Sequence, residues 1–137
     1  MTLTHYILKD GRPVPEPDMK KWHEWMEKHT AKAVARNEVG GWMVSTVFLG
    51  IDHGWGNPQD GVEPVVFETM VFDAEGEAKH QERHTTLQEA QIRHAFVLLT
   101  LQKELWKQSK LRSVFFLLLA LIVIVLFLSP LLPLFLA

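Results

Sequence analysis

The sequence contains no cysteine, and this absence excludes several chemistries at once. Without thiols the chain cannot form a disulfide, a cysteine nucleophile or a zinc–thiolate site. It also lacks a Gly-x-Ser-x-Gly nucleophile elbow and a glycine-rich phosphate loop that opens a helix. These absences favour a non-enzymatic protein over an enzyme, and they indicate no cofactor.

Charged side chains are missing from the end of the chain, from Val114 to Ala137. About 20 apolar helical residues are enough to cross the hydrocarbon core of a bilayer. We therefore expect a cytoplasmic domain over residues 1–112 and a C-terminal transmembrane anchor over residues 113–137. Pro130 and Pro133 lack backbone donors, so the helix is expected to kink or end near them.

A basic cluster lies just before the apolar run and predicts its orientation. Lysine and arginine beside a span remain on the cytoplasmic side, and tryptophan favours the headgroup region. The predicted membrane-interface residues are Lys103, Trp106, Lys107, Lys110 and Arg112. The sequence thus predicts a single-pass membrane protein with the lipid bilayer as a partner. The net charge of −2 gives no indication of nucleic-acid binding.

The N-terminal residues show a hairpin followed by a helix. Asp10-Gly11 suits the positive φ angles of a tight turn between two short strands. Asp18 is a credible N-cap, and the apolar spacing after it predicts a helix that runs to about Asn37. Glycines follow at the predicted end of this helix.

Three later segments are predicted to be strands. The first two, Trp42–Ile51 and Val62–Asp73, are rich in β-branched and apolar residues, which favours buried strands. A polar segment over residues 78–84, AKHQERH, is predicted to be an edge strand. The simplest connection of these segments is a three-stranded antiparallel meander.

A capping box, Thr86-Leu87-Gln88-Glu89, predicts the start of a second helix. Neither glycine nor proline interrupts the chain from there to Pro130, so one continuous helix is expected. The predicted fold class is α+β: a small antiparallel sheet with two helices on one face, the second continuing into a transmembrane helix.

The stretch GIDHGWGNP, from Gly50 to Pro58, carries the main candidate site residues. Asp52 and His53 are weak catalytic candidates, together with Glu68; alternatively, Asp52 caps a turn. If Glu68 faces the core, desolvation would raise its pKa, whereas an outward Glu68 is the polar half of an alternating strand. His53 and Trp55 are the predicted partner-binding residues, because an aromatic residue on a loop is a frequent anchor for a partner.

Histidines supply weak candidates for metal binding, although no metal site is predicted. A site needs three or four converging ligands, and no named ligand motif is present. His80 and His84 share a face on either a strand or a helix. The weak candidate ligands are His53, His80 and His84, with His94 as a further possibility.

Two strand motifs carry a resemblance: VSTVFLGIDH (Val44–His53) and VVFETMVF (Val65–Phe72). The chain resembles, over roughly Leu8 to His94, a family of small uncharacterised bacteriophage and prophage proteins. The resemblance implies a phage setting and no established activity. The C-terminal membrane span departs from the usual pattern of that family.

Three functional hypotheses follow. The first is a membrane-tethered, non-enzymatic interaction protein, a phage accessory factor that binds a host or phage protein at the cytoplasmic face of the bacterial inner membrane. The second is a small metal-dependent hydrolase or nucleotide-processing enzyme that uses Asp52, His53 and Glu68. The third is a lysis or superinfection-exclusion factor that acts in the membrane, although the span has no small-xxx-small pair to drive helix association.

Overall fold

The structure, a computed structural model, describes residues 4–28, 33–54 and 61–128. The chain divides into two compact units, Met1–Thr100 and Leu101–Ala137. The first unit has the predicted α+β fold. The described elements are β1 (Tyr6–Lys9), β2 (Arg12–Pro15), α1 (Met19–Lys28), β3 (Ala33–Val39), β4 (Trp42–Phe48), β5 (Phe67–Phe72), β6 (Ala78–His84) and α2 (Leu87–Leu128).

The N-terminal hairpin is confirmed and turns at the predicted residues. β1 and β2 are antiparallel, and the turn between them has positive φ at both Asp10 (51°) and Gly11 (75°). Two consecutive positive φ angles match the right-handed twist of the flanking strands. Tyr6 and Ile7 on β1 are buried, and the Tyr6 amide donates to the Gly50 carbonyl at 2.9 Å. The hairpin is thereby attached to the end of β4.

The first helix has the predicted start but ends earlier than predicted. The Asp18 carboxylate accepts hydrogen bonds from the amides of Lys20 and Lys21, at 3.0 and 3.2 Å, which confirms the N-cap. α1 then ends at Lys28, so the prediction of a helix to Asn37 is wrong.

Residues 33–39, predicted to end that helix, form strand β3 instead. Gly40 and Gly41 have φ of 56° and 84° and form the turn of a tight hairpin with β4. Alanine, arginine and glutamate in β3 favour a helix locally, but pairing with β4 overrides that weak preference. The main sheet therefore has four strands in the order β3-β4-β5-β6, not three.

One face of this sheet forms the core. The paired positions Phe48 and Phe67, and Thr46 and Thr69, are all at most 1% exposed. Both helices reach the same face, as predicted: Trp25 of α1 contacts Phe48 edge-on, with 5.7 Å between ring centroids, and α2 packs Ala90 into the core. The segment 78–84 is the predicted polar edge strand.

The second helix begins at the predicted capping box. The Thr86 hydroxyl accepts from the Glu89 amide at 3.1 Å, and the Glu89 carboxylate accepts from the amide of Thr85 at 3.4 Å. The reciprocal bond thus lies one residue before the N-cap. α2 continues without interruption for 42 residues to Leu128. The predicted kink at Pro130 and Pro133 lies outside the described residues.

Candidate functional site

The base of the loop after β4 is held by Asp52. Its Oδ1 atom accepts hydrogen bonds from the amides of Gly54, at 2.8 Å, and Val65, at 2.9 Å. This is the turn-capping role that the sequence offered as the alternative to catalysis. Burial raises the pKa of Tyr6, and the nearby Asp52 carboxylate raises it further because a second negative charge is disfavoured there.

The two predicted partner-binding residues follow directly. His53 is exposed, while its amide donates to the Val65 carbonyl at 3.0 Å and fixes the backbone. The exposed imidazole is therefore attached to a backbone segment that hydrogen bonds to Val65 hold in place. Trp55 lies outside the described residues.

Glu68 lies on the sheet face opposite the core, because its neighbours Phe67 and Thr69 point into the core. Glu68 is nevertheless only 7% exposed. The carboxylate accepts from Gln81 Nε2 at 2.9 Å and from Arg83 Nε at 3.2 Å, both on β6. These partners differ from those of Asp52, so the two carboxylates share no hydrogen-bond partner among the described residues.

The candidate metal ligands are dispersed. Within the described ranges, no group of three or more histidine, aspartate or glutamate side chains is arranged to hold a metal ion. His80 is exposed, with its Nε2 atom 3.8 Å from Glu82 Oε1. His84 lies on the same face of β6 but is 3% exposed, with its ring bonded inside the core.

A chain of buried polar side chains, which the sequence did not predict, crosses the core. It links β3, β4, β5 and β6 with α2. The Thr46 and Thr69 hydroxyls are 2.7 Å apart and each is 0% exposed. Thr46 also contacts Nδ1 of His94 at 2.9 Å, and Thr69 contacts Nε2 of His84 at 3.2 Å. The far nitrogen of His94 lies 2.9 Å from Asn37 Oδ1.

The direction of these hydrogen bonds follows from the acceptor at one end. Asn37 Oδ1 can only accept, so the ring proton of His94 lies on Nε2 and Nδ1 accepts from the Thr46 hydroxyl. Since Thr46 has one proton, Thr69 donates to Thr46, and His84 Nε2 donates to Thr69. With these directions, all four hydrogen bonds of the polar chain form at once. Burial lowers the pKa of His94, which favours the neutral ring that this arrangement requires.

The two ends of this polar chain reach the surface. Asn37 is exposed on the edge strand β3, and Glu89, whose side chain is 50% exposed, lies 3.9 Å from Nδ1 of His84. The centre is closed to solvent, so it offers no access for a substrate. Its bonds are directional, and they fix one position of α2 on the sheet.

A second polar contact holds α2 to the sheet next to this chain. Arg93 donates to Glu82 Oε2 from Nη2 at 2.6 Å and from Nε at 3.1 Å. This hydrogen bonding raises the pKa of Arg93. Glu82 Oε1 is buried without a hydrogen-bond partner among the residues that the structure describes.

The second unit contains the predicted membrane-interface residues. Trp106 is 60% exposed, and the Lys110 ammonium lies over its indole, 4.5 Å from the ring centroid. Lys107 Nζ is 2.8 Å from Glu104 Oε1. The large apolar side chains between Val114 and Val125 are 45–71% exposed. In the described part of the chain, one helix is long and apolar enough to cross a membrane.

The strongest signal for the buried chain in the sequence was His94. It shares a helix face with Ala90 and Leu98, and a histidine on an apolar face needs a polar partner. Its partners Thr46 and Thr69 carried no comparable signal, because threonine is common in strands.

Comparison of the chain with known proteins finds no matching protein-family model, curated protein or solved structure.

Proposed function

We propose that this protein is a single-pass membrane protein whose α+β unit serves as an interaction module at the cytoplasmic face of a bacterial inner membrane. The observation that carries the proposal is the run from Val114 to Val125 on α2. It has no charge, and its large side chains are 45–71% exposed. Such a surface is unfavourable in water and favourable in a bilayer.

The residues before this run support the orientation. Three lysines and one arginine lie within residues 103–112, against the single acid Glu104. Their retention on the cytoplasmic side would place the N-terminal unit in the cytoplasm. The Trp106 indole with the Lys110 ammonium over it combines an apolar ring and a cation, which suits the headgroup region.

Membrane integration is tested on the full chain expressed in bacteria. Leu118→Arg combined with Ile122→Arg places two charges in the run, each at a cost of about 2.5–3.5 kcal/mol near the centre of a span. We expect the double variant to move from the alkali-resistant membrane fraction to the soluble or aggregated fraction. The matched control, Leu118→Ile with Ile122→Leu, should stay in the membrane. Retention of the arginine variant would contradict the proposal.

Orientation can be measured because the chain has no cysteine. A single Glu75→Cys substitution, in the exposed turn between β5 and β6, gives one thiol on the N-terminal unit. A maleimide that cannot cross membranes should label it only after the inner membrane is opened. Labelling in intact spheroplasts would show the opposite orientation.

The interaction role is a proposal about the loop that contains His53 and Trp55. It is supported by the exposure of His53 on a loop base that Asp52 holds in place. A phage setting is a further part of the proposal, and it is supported by the resemblance of the two strand motifs, Val44–His53 and Val65–Phe72. His53→Ala combined with Trp55→Ala should abolish co-purification of a stoichiometric host or phage protein from detergent extracts. The control Glu75→Ala should retain it, and equal capture by both variants would remove this surface from consideration.

A further inference from the structure

α2 carries apolar side chains on two opposite faces within the first unit. Ala90 and His94 face the core and are 0% and 5% exposed. Ile92, Phe96 and Leu99 are 59%, 56% and 65% exposed, and we call these three residues the outer stripe. At 3.6 residues per turn, Ile92 lies about 200° around the helix from both Ala90 and His94. The outer stripe is therefore the face that the sheet leaves uncovered.

The outer stripe is the one group of neighbouring exposed large apolar residues in the described part of the first unit. The others there, Met19 and Val62, lie on different segments. Contiguous exposed apolar groups mark interaction sites, whereas single ones do not. Its members are spaced by four and then three residues, which is the spacing of the core positions in a parallel pair of helices.

We infer that the outer stripe pairs in parallel with the same stripe of a second copy of this chain. The inference rests on the proposed membrane anchor, because two copies anchored through the same end of α2 have the same orientation. Anchoring also confines them, which raises their effective concentration without any new contact. A parallel pair places Phe96 opposite Phe96, so one surface is complementary to itself about a two-fold axis.

The residues that flank the outer stripe are compatible with this pairing. Ala95, Thr100 and Gln102 are uncharged. The charged flanking residue, Arg93, is bonded to Glu82 of its own chain at 2.6 Å, so two copies do not bring unpaired cations together. Continuing the same spacing reaches Glu89 in one direction and Lys103 in the other, where like charges would face each other, so the pairing segment begins at Ile92. The pairing segment therefore ends at Leu99 and is short, which is why it depends on the anchor.

The test uses the full chain in vesicles of phosphatidylethanolamine and phosphatidylglycerol. Two single-cysteine variants are compared, Ile92→Cys on the outer stripe and Gln91→Cys beside it; both positions are exposed, so neither change disturbs the core. Flotation of the vesicles first reports whether the protein is in the membrane. Copper-catalysed oxidation then reports which thiols meet, because a disulfide requires close approach of the two β-carbons.

We expect both variants to float, and Ile92→Cys to give about tenfold more disulfide-linked dimer than Gln91→Cys at one protein-to-lipid ratio. The triple variant Ile92→Gln/Phe96→Gln/Leu99→Gln should also lose energy transfer between labelled copies. Equal cross-linking at both positions, or a floating protein that stays monomeric with lipid against the stripe, would overturn the pairing alone. A protein that does not float would overturn the membrane anchor and the pairing with it.

Discussion

Thr46 and Thr69 occupy directly paired positions of β4 and β5, and their hydroxyl oxygens lie 2.7 Å apart in the fully buried centre of the sheet. Each hydroxyl also contacts a histidine, one from α2 and one from β6. The pair thus joins four elements, β4, β5, β6 and α2, through side chains. Because each hydroxyl contacts two partners, a substitution at either threonine removes two hydrogen bonds of the polar chain.

The substitution Thr46→Val tests the contribution of this pair to stability. Valine keeps the shape but leaves His94 Nδ1 without a donor and the Thr69 hydroxyl without its acceptor. We expect the free energy of unfolding to fall by about 1–3 kcal/mol, measured by urea denaturation. The control is Thr100→Val, because the exposed Thr100 hydroxyl donates to the Phe96 carbonyl of its own helix. That change should stay within about 0.5 kcal/mol, and equal effects would contradict a special role for the pair.

The stability of the first unit should fall as the pH drops below neutrality. Burial lowers the pKa of His94 in the folded protein, so below an unfolded pKa of about 6.5 the unfolded chain takes up a proton that the folded chain does not. The free energy of unfolding then decreases with falling pH, by at most about 1.4 kcal/mol per pH unit for this single group. Chemical denaturation between neutral and mildly acidic pH measures the slope. His94→Gln should flatten it, and an unchanged slope would show that other groups cause it.

Asn37 should control the protonation of His94 through Nε2. Replacing Asn37 by aspartate puts a carboxylate where the amide oxygen lies 2.9 Å from the ring. An opposite charge at that distance favours the imidazolium, so the pKa of His94 should rise, as measured by its proton NMR titration. Asn37→Leu removes the acceptor without adding charge and should not raise it. A rise in both variants would mean that the effect comes from exposure of the ring.

Tyr6 offers a site-specific test of the loop base, because it is the only tyrosine in the chain. Burial and the Asp52 charge both raise its pKa, with burial the larger cause. Asp52→Asn removes the charge but keeps an oxygen for the Gly54 and Val65 amides. The pKa of Tyr6, measured by phenolate absorbance, should therefore fall while staying above its ordinary value of about 10. An unchanged pKa would show that the charge of Asp52 does not act on Tyr6.

Features set by neighbouring residues could be predicted from the sequence. The turn at Asp10-Gly11, the N-cap at Asp18 and the capping box from Thr86 to Glu89 each depend on a few adjacent side chains. The turn and the N-cap are in the structure as predicted, and the capping box differs only in that Glu89 accepts from the amide of Thr85. The fold class followed from the same local patterns, together with the apolar spacing of the strands.

Features set by distant pairing could not be predicted in this way. β3 is a strand because β4 is beside it, while its own residues favour a helix. Likewise, the polar chain depends on the register that places Thr46 against Thr69 and on the rotation of α2 that brings His94 to them. Neither the strand register nor the rotation of α2 can be predicted from a local sequence pattern. The candidate residues chosen from the sequence were therefore others, namely Asp52, His53 and Glu68.

The order of residues in the polar chain sets the order in which it can be completed during synthesis. Asn37, Thr46, Thr69 and His84 all leave the ribosome before His94, and the apolar run from Val114 follows later still. The Thr46 hydroxyl therefore lacks its histidine partner until α2 has been synthesised. The last residue of the polar chain, His94, is thus synthesised 20 residues before Val114, where the proposed membrane segment begins.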